Sequence, residues 1–511
     1  MAVPDWLDPL YDAAQQRALD EWAIGELGIP GVELMERAGA GLAEVAQRLA
    51  PTGEIVVVCG KGNNGGDGLV CARLLRRLGR HARVLLLGSP DELRGDARTN
   101  YERLEGTPPE PFDPGALGGA AAIVDAILGT GFSGEPRDPA AGAIEAINAA
   151  GAGHGVVVAC DVPSGVDAST GEVHGSAVRA GATVTFNAVK PGLWIAPGKE
   201  HAGEVEVVGI GIPPGGPVDP QLGLITSRVT GVIPRRGRES TKFAAGSVVV
   251  CGGSIGLTGA PCMSAEAAMR AGAGYVTAFV PESLNLIFES RLLEVMTVPL
   301  PDREGSLQTD GAEAVLERAE SAGALVLGPG LGRRPEAFEL ARTLARQAQS
   351  PLLLDADGLN AHAGDLAALA NRGAPTVLTP HAGELARLLE SDSKAIGARR
   401  LASVRTAAAQ ANAIVVLKGD DTLVAHPDGR VGVSRGGAAA LATAGTGDVL
   451  SGVTGAYLAK RMDPFAAACA AVLVHASAGR VAASRIGTEG VIASDVIQAL
   501  PRALTEALQE R

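Results

Sequence analysis

Several absences narrow this chain before any motif is read. It has no excess of positive charge: 44 Lys and Arg stand against 57 Asp and Glu, a formal net charge of -13. That balance argues against nucleic acid or an anionic membrane as the main partner. Any anionic nucleotide would have to be met by local basic groups and backbone N–H donors. The six cysteines, Cys59, Cys71, Cys160, Cys251, Cys262 and Cys469, form no CxxC pair and show no metal-ligand spacing with histidine. They read as buried, reduced thiols of a cytoplasmic protein. The segment Met1 to Asp8 is acidic and lacks the basic-then-apolar pattern of a signal peptide. No run of 18 apolar residues is free of charge, so no transmembrane helix is expected. Aromatic residues are only 3% of the chain, and no short-period repeat is visible.

What the chain does have is glycine, 69 residues in 511, without a Gly-X-Y period. That density suggests many tight turns between strands and helices, in a chain long enough for two or more domains. Residues 11–27 and 32–49 read as helices broken at Gly28-Ile29-Pro30-Gly31. In the second, Leu34, Ala38, Gly41, Leu42, Val45 and Leu49 share one face. Ile55 to Cys59 is an apolar run typical of a buried parallel strand. It leads into Gly60-Lys61-Gly62-Asn63-Asn64-Gly65-Gly66-Asp67-Gly68, then a helix expected over Leu69 to Leu78 and a strand at Arg83 to Leu87. Strand, glycine loop, helix and strand make a βαβ unit whose loop lies where nucleotide phosphates bind. A plain turn would use the same residue types.

Two further strands end in polar loops. Ala121 to Asp125 runs into Ile127 to Glu135, and Val156 to Asp161 runs into Val162-Pro163-Ser164-Gly165-Val166-Asp167. Ligands of an open α/β sheet gather at the carboxyl ends of its strands. One aspartate there is usually a cap or turn residue; three such loops make one polar cleft.

The loop Asn63 to Gly68, the Asp125 segment, Asp161-Val162-Pro163-Ser164-Gly165, Thr183-Val184-Thr185-Phe186 and Lys190-Pro191-Gly192 together resemble NAD(P)H-hydrate epimerase. The resemblance spans roughly residues 10–215. It implies that Asn63, Asn64, Gly65, Gly66, Asp67, Gly129, Thr130, Gly131, Phe132, Ser133, Gly134, Glu135 and Asp161 meet the damaged dinucleotide. It also implies that Asn64, Asp125 and Ser164 hold potassium, for which an amide, a carboxylate and a hydroxyl are suitable hard ligands. Asp161 is then the expected acid–base group, with Asp67 the open alternative.

The turn-rich segment beginning Ile210-Gly211-Ile212-Pro213-Pro214 places a boundary near residue 225, giving domains 1–224 and 225–511. The basic stretch Arg235-Arg236-Gly237-Arg238 fits a solvated linker as well as it fits nucleotide contact. Beyond it the alternation resumes. Ser247 to Cys251 precedes the glycine loop Gly252 to Ala260 and a helix expected from Met263 to Ala271. Ala324 to Leu327 precedes Gly328-Pro329-Gly330-Leu331-Gly332, and Leu352 to Leu354 precedes Asp355-Ala356-Asp357. Thr376 to Leu378 precedes Thr379-Pro380-His381, and Ala413 to Leu417 precedes Lys418-Gly419-Asp420-Asp421-Thr422. This is a second doubly wound α/β domain. Taken singly, His381 and the aspartates could be turn or cap residues and Lys418 a surface lysine.

The last loop, Ala444-Gly445-Thr446-Gly447-Asp448, precedes an apolar segment, Val449 to Leu458, that reads as a buried helix. Glycines let the backbone approach an anion, and free N–H groups at a helix start favour negative charge. A carboxylate beside a bound phosphate would repel it. Its useful role is to take a proton from a hydroxyl that attacks the phosphate; the plainer role is a helix N-cap.

In this order the segments resemble the ADP- or ATP-dependent NAD(P)H-hydrate dehydratase, a ribokinase-like fold, over roughly residues 235–505. The resemblance implies substrate contacts at Ala260, Gly330, Gly332, His381 and Asp448. It implies nucleotide contacts at Lys418, Gly419, Asp420, Asp421, Thr422, Gly445, Thr446 and Gly447, with Asp448 catalytic. One departure is visible: where the family often has His-Lys-Gly, this chain reads Ser240-Thr241-Lys242-Phe243, keeping the lysine and not the histidine.

The expected protein is therefore α/β with two doubly wound domains, Rossmann-like then ribokinase-like. It would act on NADHX and NADPHX with ADP or ATP as donor, using potassium in the first domain and magnesium at the nucleotide phosphates. Cytoplasmic location and a homo-oligomer are further expectations. Two other classes compete. One is a small-metabolite kinase with a regulatory dinucleotide-binding first domain. The other is a non-catalytic dinucleotide sensor, against which the carboxylate of Asp448 argues.

Overall fold

A computed structural model describes residues 3–153, 155–238, 241–242 and 244–509. The chain divides into two compact units, Pro9–Leu222 and Met1–Asp8 with Gly223–Arg511.

The first unit is built on a seven-stranded sheet. Its strand order is Glu110–Pro111, Ala82–Leu86, Ile55–Cys59, Ala122–Ala126, Val156–Cys160, Ala182–Phe186, Glu204–Val208, and every pairing is parallel. All five residues of Ile55–Cys59 and of Ala122–Ala126 are buried. Ile55–Cys59 shows the unbroken apolar pattern of a strand covered by helices on both faces, and in Ala122–Ala126 only Asp125 interrupts it. From Ile55–Cys59 the chain winds outward through Ala82–Leu86, then returns to Ala122–Ala126 on the other side. The carboxyl ends of these two strands therefore flank a topological switch point, where a crevice opens.

The glycine loop after Ile55–Cys59 is shorter than expected. Instead of starting at Leu69, the helix spans Asn63–Arg77. Three glycines lie inside it because three neighbours come too close for a side chain. A Cβ on Gly65 would stand 1.9 Å from the Gly60 carbonyl oxygen, one on Gly66 2.6 Å from Met35 Sδ, and one on Gly68 2.7 Å from the Ala126 methyl. Tertiary packing outweighs the poor helix propensity of glycine, about 1 kcal/mol per residue.

The second unit carries an eleven-stranded sheet. Seven strands are parallel, in the order Met296–Leu300, Tyr275–Pro281, Ser247–Cys251, Ala324–Leu327, Leu352–Leu354, Thr376–Leu378, Ile414–Leu417. Leu423–Ala425 and Val431–Val433 continue it antiparallel, and Leu222–Ile225 and Leu7–Leu10 finish that edge. Here the expected partition 1–224 and 225–511 is corrected, because the first eight residues belong with the second unit. Trp6 and Leu7 are buried in its core, Trp6 lies 5.6 Å from the Phe465 ring, and Thr226 Oγ1 donates to the Trp6 carbonyl at 2.9 Å.

Helices in this unit also start earlier than expected, at Gly259–Arg270 and Thr446–Ala459. They cross closely because Gly452 has no Cβ, which would stand only 2.1 Å from the Ser264 carbonyl oxygen. Among the described residues one helix, Pro464–Ile486, is long and apolar enough to cross a membrane, but 83% of its apolar window is buried within the protein. The stretch from Arg235 is exposed, with Arg236 Nη2 donating to the Gly272 and Ala273 carbonyls at 3.2 and 2.9 Å. Of the segment that departs from the family pattern, Ser240 and Phe243 lie outside the described residues.

Candidate active sites

At the switch point of the first unit lies a cavity of about 800 Å³. Its walls include Gly60, Asn63, Asn64 and Asp67 after one strand and Ile127 to Phe132 after the other. Asp161, Phe186 and Lys190 complete one side, and Gln16 and Asp20 of the helix Ala13–Gly25 face it from another. Three expected contacts do not reach it: Ser133, Gly134 and Glu135 are exposed and off the cavity wall. Gly65 and Gly66 are buried packing positions rather than lining groups.

Asp161 follows the strand Val156–Cys160 in a left-handed conformation, φ 65°. Lys190 Nζ donates to its Oδ1 at 2.7 Å, Thr185 Oγ1 at 3.2 Å and the Phe186 N–H at 3.3 Å, while Thr130 donates to its Oδ2. Burial alone would raise its pKa, but the Lys190 charge and these donors hold it below the ordinary carboxylate value. Lys190 is itself only 1% exposed and also donates to the Phe186 carbonyl at 2.7 Å. Removing one partner of such a buried pair leaves the other charge uncompensated, at a cost of ~3–5 kcal/mol. Asp67 is different: burial, followed by the charges of Asp161 and Asp20, drives its pKa well above the ordinary range.

Beneath this wall Asp125 is fully buried. It accepts from Ser164 Oγ at 2.6 Å, the Ser164 N–H at 2.8 Å and the Ile127 N–H at 3.3 Å. Burial still pushes its pKa up to about 6. Ser164 Oγ also lies 3.2 Å from the Leu128 carbonyl, and the buried Asn64 Nδ2 has no hydrogen-bond partner. The buried Asp125 carboxylate, the Ser164 hydroxyl and the Leu128 carbonyl together form an oxygen-rich donor set suited to one hard cation. Asp125 and Ser164 thus fit the hard cation the sequence leads one to expect, and Asn64 Oδ1 lies beside the same wall, 2.8 Å from where a Cβ on Gly129 would be.

In the second unit the expected loops follow the carboxyl ends of the parallel strands. Gly330 and Gly332 have φ of 64° and 81°. A Cβ on Gly330 would lie 2.4 Å from the Leu257 carbonyl and 3.2 Å from the Ala260 methyl, so Ala260 and this loop are brought together. Ser254 Oγ donates to the Gly330 carbonyl at 2.9 Å, and the Gly332 N–H donates to Asp357 at 3.1 Å. His381 is the N-cap of the helix Ala382–Leu388, its Nδ1 accepting from the Gly383 and Glu384 N–H groups at 3.0 and 3.3 Å. Its ring remains 54% exposed, leaving a face for ligand.

Asp448 is the third residue of the helix Thr446–Ala459, and Gly445, at φ 90°, is its N-cap. The aspartate is therefore not the cap. Burial, then the charges of Asp355 and Glu384, push its pKa up to about 7 against the opposing pull of Lys418. Lys418 Nζ lies 3.0 Å from Asp355 Oδ1 and 3.7 Å from Glu384 Oε2. Burial would lower its pKa, but these carboxylates hold it above the ordinary lysine value. It also lies 3.5 Å from where a Cβ on Gly447 would be, so the loop beginning at Lys418 meets the helix start. Asp421 is taken by Arg400 at 2.9 Å, and Thr422 Oγ1 donates to the Gly419 carbonyl at 2.6 Å, which fixes the loop. The Gly437 N–H caps Asp420 Oδ1 at 3.0 Å.

Sequence reasoning passed over Lys190 and Asp20 in the first site and the supporting roles of Asp355, Glu384 and Ser451 in the second. Lys190 opens the Lys190-Pro191-Gly192 segment, and only its ion pair with Asp161 reveals the role.

Residues 248–502 match the family model described as NAD(P)H-hydrate dehydratase, and residues 31–192 match that of the YjeF-related protein N-terminus. Over its whole length the chain is similar to proteins named bifunctional NAD(P)H-hydrate repair enzyme. That of Moorella thermoacetica is 39% identical, with 98% of this chain and 97% of that one covered. That of Salinibacter ruber is 38% identical, with 98% and 97% covered. Among solved structures, the ADP/ATP-dependent NAD(P)H-hydrate dehydratase of Bacillus subtilis, co-crystallised with ATP and magnesium, is 27% identical with a TM-score of 0.48. It covers 56% of this chain and 98% of that one.

Proposed function

Because this chain belongs to the family of bifunctional NAD(P)H-hydrate repair enzymes, we propose that it restores hydrated NADH and NADPH in two steps. The first unit interconverts the R and S epimers at ring carbon 6, and the second dehydrates the S form at the expense of ADP or ATP. The observation that carries this reading is that one chain holds both centres, each with the groups its half of the chemistry needs.

In the second unit Asp448 takes the proton of the S-hydroxyl, whose oxygen attacks the terminal phosphorus of the nucleotide. The bond to the nucleotide breaks, releasing AMP or ADP. A pKa of about 7 suits a base working near neutral pH. The backbone N–H groups at Gly445 to Gly447 face the phosphoryl charge, which a helix start favours. Phosphate then leaves from carbon 6 far more readily than hydroxide, pushed by the ring-nitrogen electron pair, and loss of a proton from carbon 5 completes the dihydropyridine. Lys418, Gly419, Asp420, Asp421 and Thr422 would hold the nucleotide. No cluster of three His, Cys, Asp or Glu side chains able to cage a metal occurs among the described residues. Magnesium would accordingly be carried largely by the nucleotide phosphates, as this ion commonly is.

In the first unit the cavity would hold the dinucleotide, with Asn63, Asn64, Asp67, Gly129 to Phe132 and Asp161 around it. Potassium at Asn64, Asp125 and Ser164 would supply positive charge beneath the site. Asp161 serves as a fixed negative charge near the ring nitrogen. We assign the protein to the cytoplasm and to a homo-oligomer, the latter checked by sedimentation.

The test supplies mixed R and S hydrate, magnesium and either ADP or ATP, and follows dihydropyridine absorbance. Wild type should restore the whole pool. Asp448→Asn should restore none while leaving R and S exchange intact. A stable phosphorylated product without dihydropyridine would sink the repair reading.

A further inference from the structure

Two aspartates in the first cavity stand in opposite electrostatic situations. Asp161 accepts from four donors, including a lysine at 2.7 Å. Asp67 lines the same cavity yet takes no hydrogen bond and no ion pair from the described residues. It is fixed in the first turns of the helix Asn63–Arg77, with buried thiols of Cys59, Cys71 and Cys160 around it. A third aspartate, Asp20, enters from the helix Ala13–Gly25, held by Gln16 Nε2 at 2.9 Å. The wall also carries Arg17, Lys61, Glu92 and Asp96. Close around Asp67, however, the charges are two carboxylates, Asp161 and Asp20, and one cation, Lys190. The cation is committed to Asp161. Three carboxylates and one lysine cannot all be ionised in a low-dielectric pocket, and the proton stays where no donor or cation compensates the charge.

On the reading that this unit is the epimerase, we propose that Asp67 is the catalytic acid of the epimerisation and that Asp20 is a positioning residue that keeps it protonated. Asp20 lies outside the residues matched by the family model for this unit, 31–192. The Asp67 carboxyl proton passes to the carbon 6 hydroxyl. The C–O bond breaks, its electron pair leaves with water, and the ring-nitrogen pair forms the C6–N1 double bond. Asp161, held ionised by Lys190, stabilises that cationic ring. Water then adds to the other face of carbon 6, the double-bond pair returns to nitrogen, and the released proton goes back to the Asp67 carboxylate. Nothing is oxidised and no co-reactant is consumed.

Asp20 acts through charge. Burial is the largest influence keeping Asp67 protonated, and the carboxylates of Asp161 and then Asp20 add to it. Without Asp20 the acid would lose its proton at lower pH.

The experiment uses the full chain and purified R hydrate, without nucleotide so that dehydration is silent, and measures R-to-S conversion across pH. Wild type should show a basic limb, kcat/KM falling about tenfold per pH unit once the acid ionises. Asp67→Asn should cut the rate ~10²–10⁴-fold and abolish the limb. The neutral amide replaces a protonated acid of the same size, so the fold has no new charge to bury. Asp67→Glu should restore part of the rate with its limb. Asp20→Asn should keep most of the low-pH rate and shift the limb to lower pH. If Asp67→Asn keeps the wild-type rate or limb, the assignment of Asp67 is overturned. An unmoved limb in Asp20→Asn overturns the role of Asp20. Failure of wild type to interconvert the epimers at any pH would instead overturn the epimerase reading itself.

Discussion

Lys418 Nζ lies 3.0 Å from Asp355 Oδ1, and Ser451 Oγ donates to the other oxygen of that carboxylate at 2.7 Å. Asp355 thus ties the nucleotide loop, through Lys418, to the helix that carries Asp448. The expected consequence is a lysine whose charge sets the working pH of the base. With Asp448 as the proposed base, dehydration of S hydrate requires its ionised form, so kcat/KM should rise with pH through about 7 and then level. Lys418→Met removes the charge that pulls the Asp448 pKa down. The rising limb should then move to higher pH, besides the loss of nucleotide affinity. A rate profile against pH with saturating and subsaturating nucleotide separates the two effects, and a limb that stays near 7 in the variant would sink this coupling.

Asp448 should also cost the protein stability. Its folded pKa, about 7, lies above the ordinary aspartate value of about 4. Between those values the folded protein binds the proton and the unfolded chain does not, so stability falls as pH rises from about 4 to 7. Asp448→Asn removes the penalty. The variant should be more stable than wild type at pH 8, by roughly 2–4 kcal/mol, and equal to it below pH 4. Denaturant midpoints of the second unit's transition at the two pH values give the answer.

The strands were legible because a strand buried on both faces is written as an unbroken apolar run, as in Ile55–Cys59, where expectation and structure coincide. Asp125 and Asp161 were legible as strand-end carboxylates for the same reason. The starts of helices that follow glycine loops were not legible, although the helix expected over 32–49 is found at Gly31–Leu49. Glycine reads as loop until one knows that the Gly60 carbonyl fills the space a Gly65 side chain would need. The strands Leu423–Ala425 and Val431–Val433 were missed because they break the strand–helix alternation: turns rather than helices join them to Ile414–Leu417 and to each other. The strand Leu7–Leu10 was missed because its sheet partners lie more than 200 residues away in sequence. Asp20 could not be singled out, since a charged residue on an amphipathic helix ordinarily faces water.

Two glycines at the start of one helix, Gly62 at its N-cap and Gly65 inside it, should respond differently to alanine. Gly65 has the Gly60 carbonyl 1.9 Å from its notional Cβ, and both groups are backbone that cannot move alone. Gly62 has nothing within 4 Å and needs no positive φ. Gly65→Ala should cost more than ~2 kcal/mol, as overpacking against fixed atoms does. Gly62→Ala should leave stability within ~0.5 kcal/mol. Thermal unfolding of the two variants beside wild type decides it, and a stable Gly65→Ala would mean the helix start is laxer than described.

Potassium should stabilise the first unit in a way that depends on Asp125. At neutral pH that buried carboxylate, with a pKa pushed up to about 6, is ionised with only hydrogen bonds to support it. A bound monovalent cation would neutralise it and engage the Asn64 amide. Because the cation needs the ionised form, its benefit should be full above about pH 7, shrink as Asp125 gains its proton around pH 6, and vanish near pH 4. The comparison is the melting temperature of the full chain in potassium chloride against choline chloride at equal ionic strength. Wild type should melt higher in potassium at pH 7.5. Asp125→Asn removes the buried charge and should melt alike in both salts. An equal response of wild type and variant would leave only a general salt effect and would remove potassium from the reading of this site.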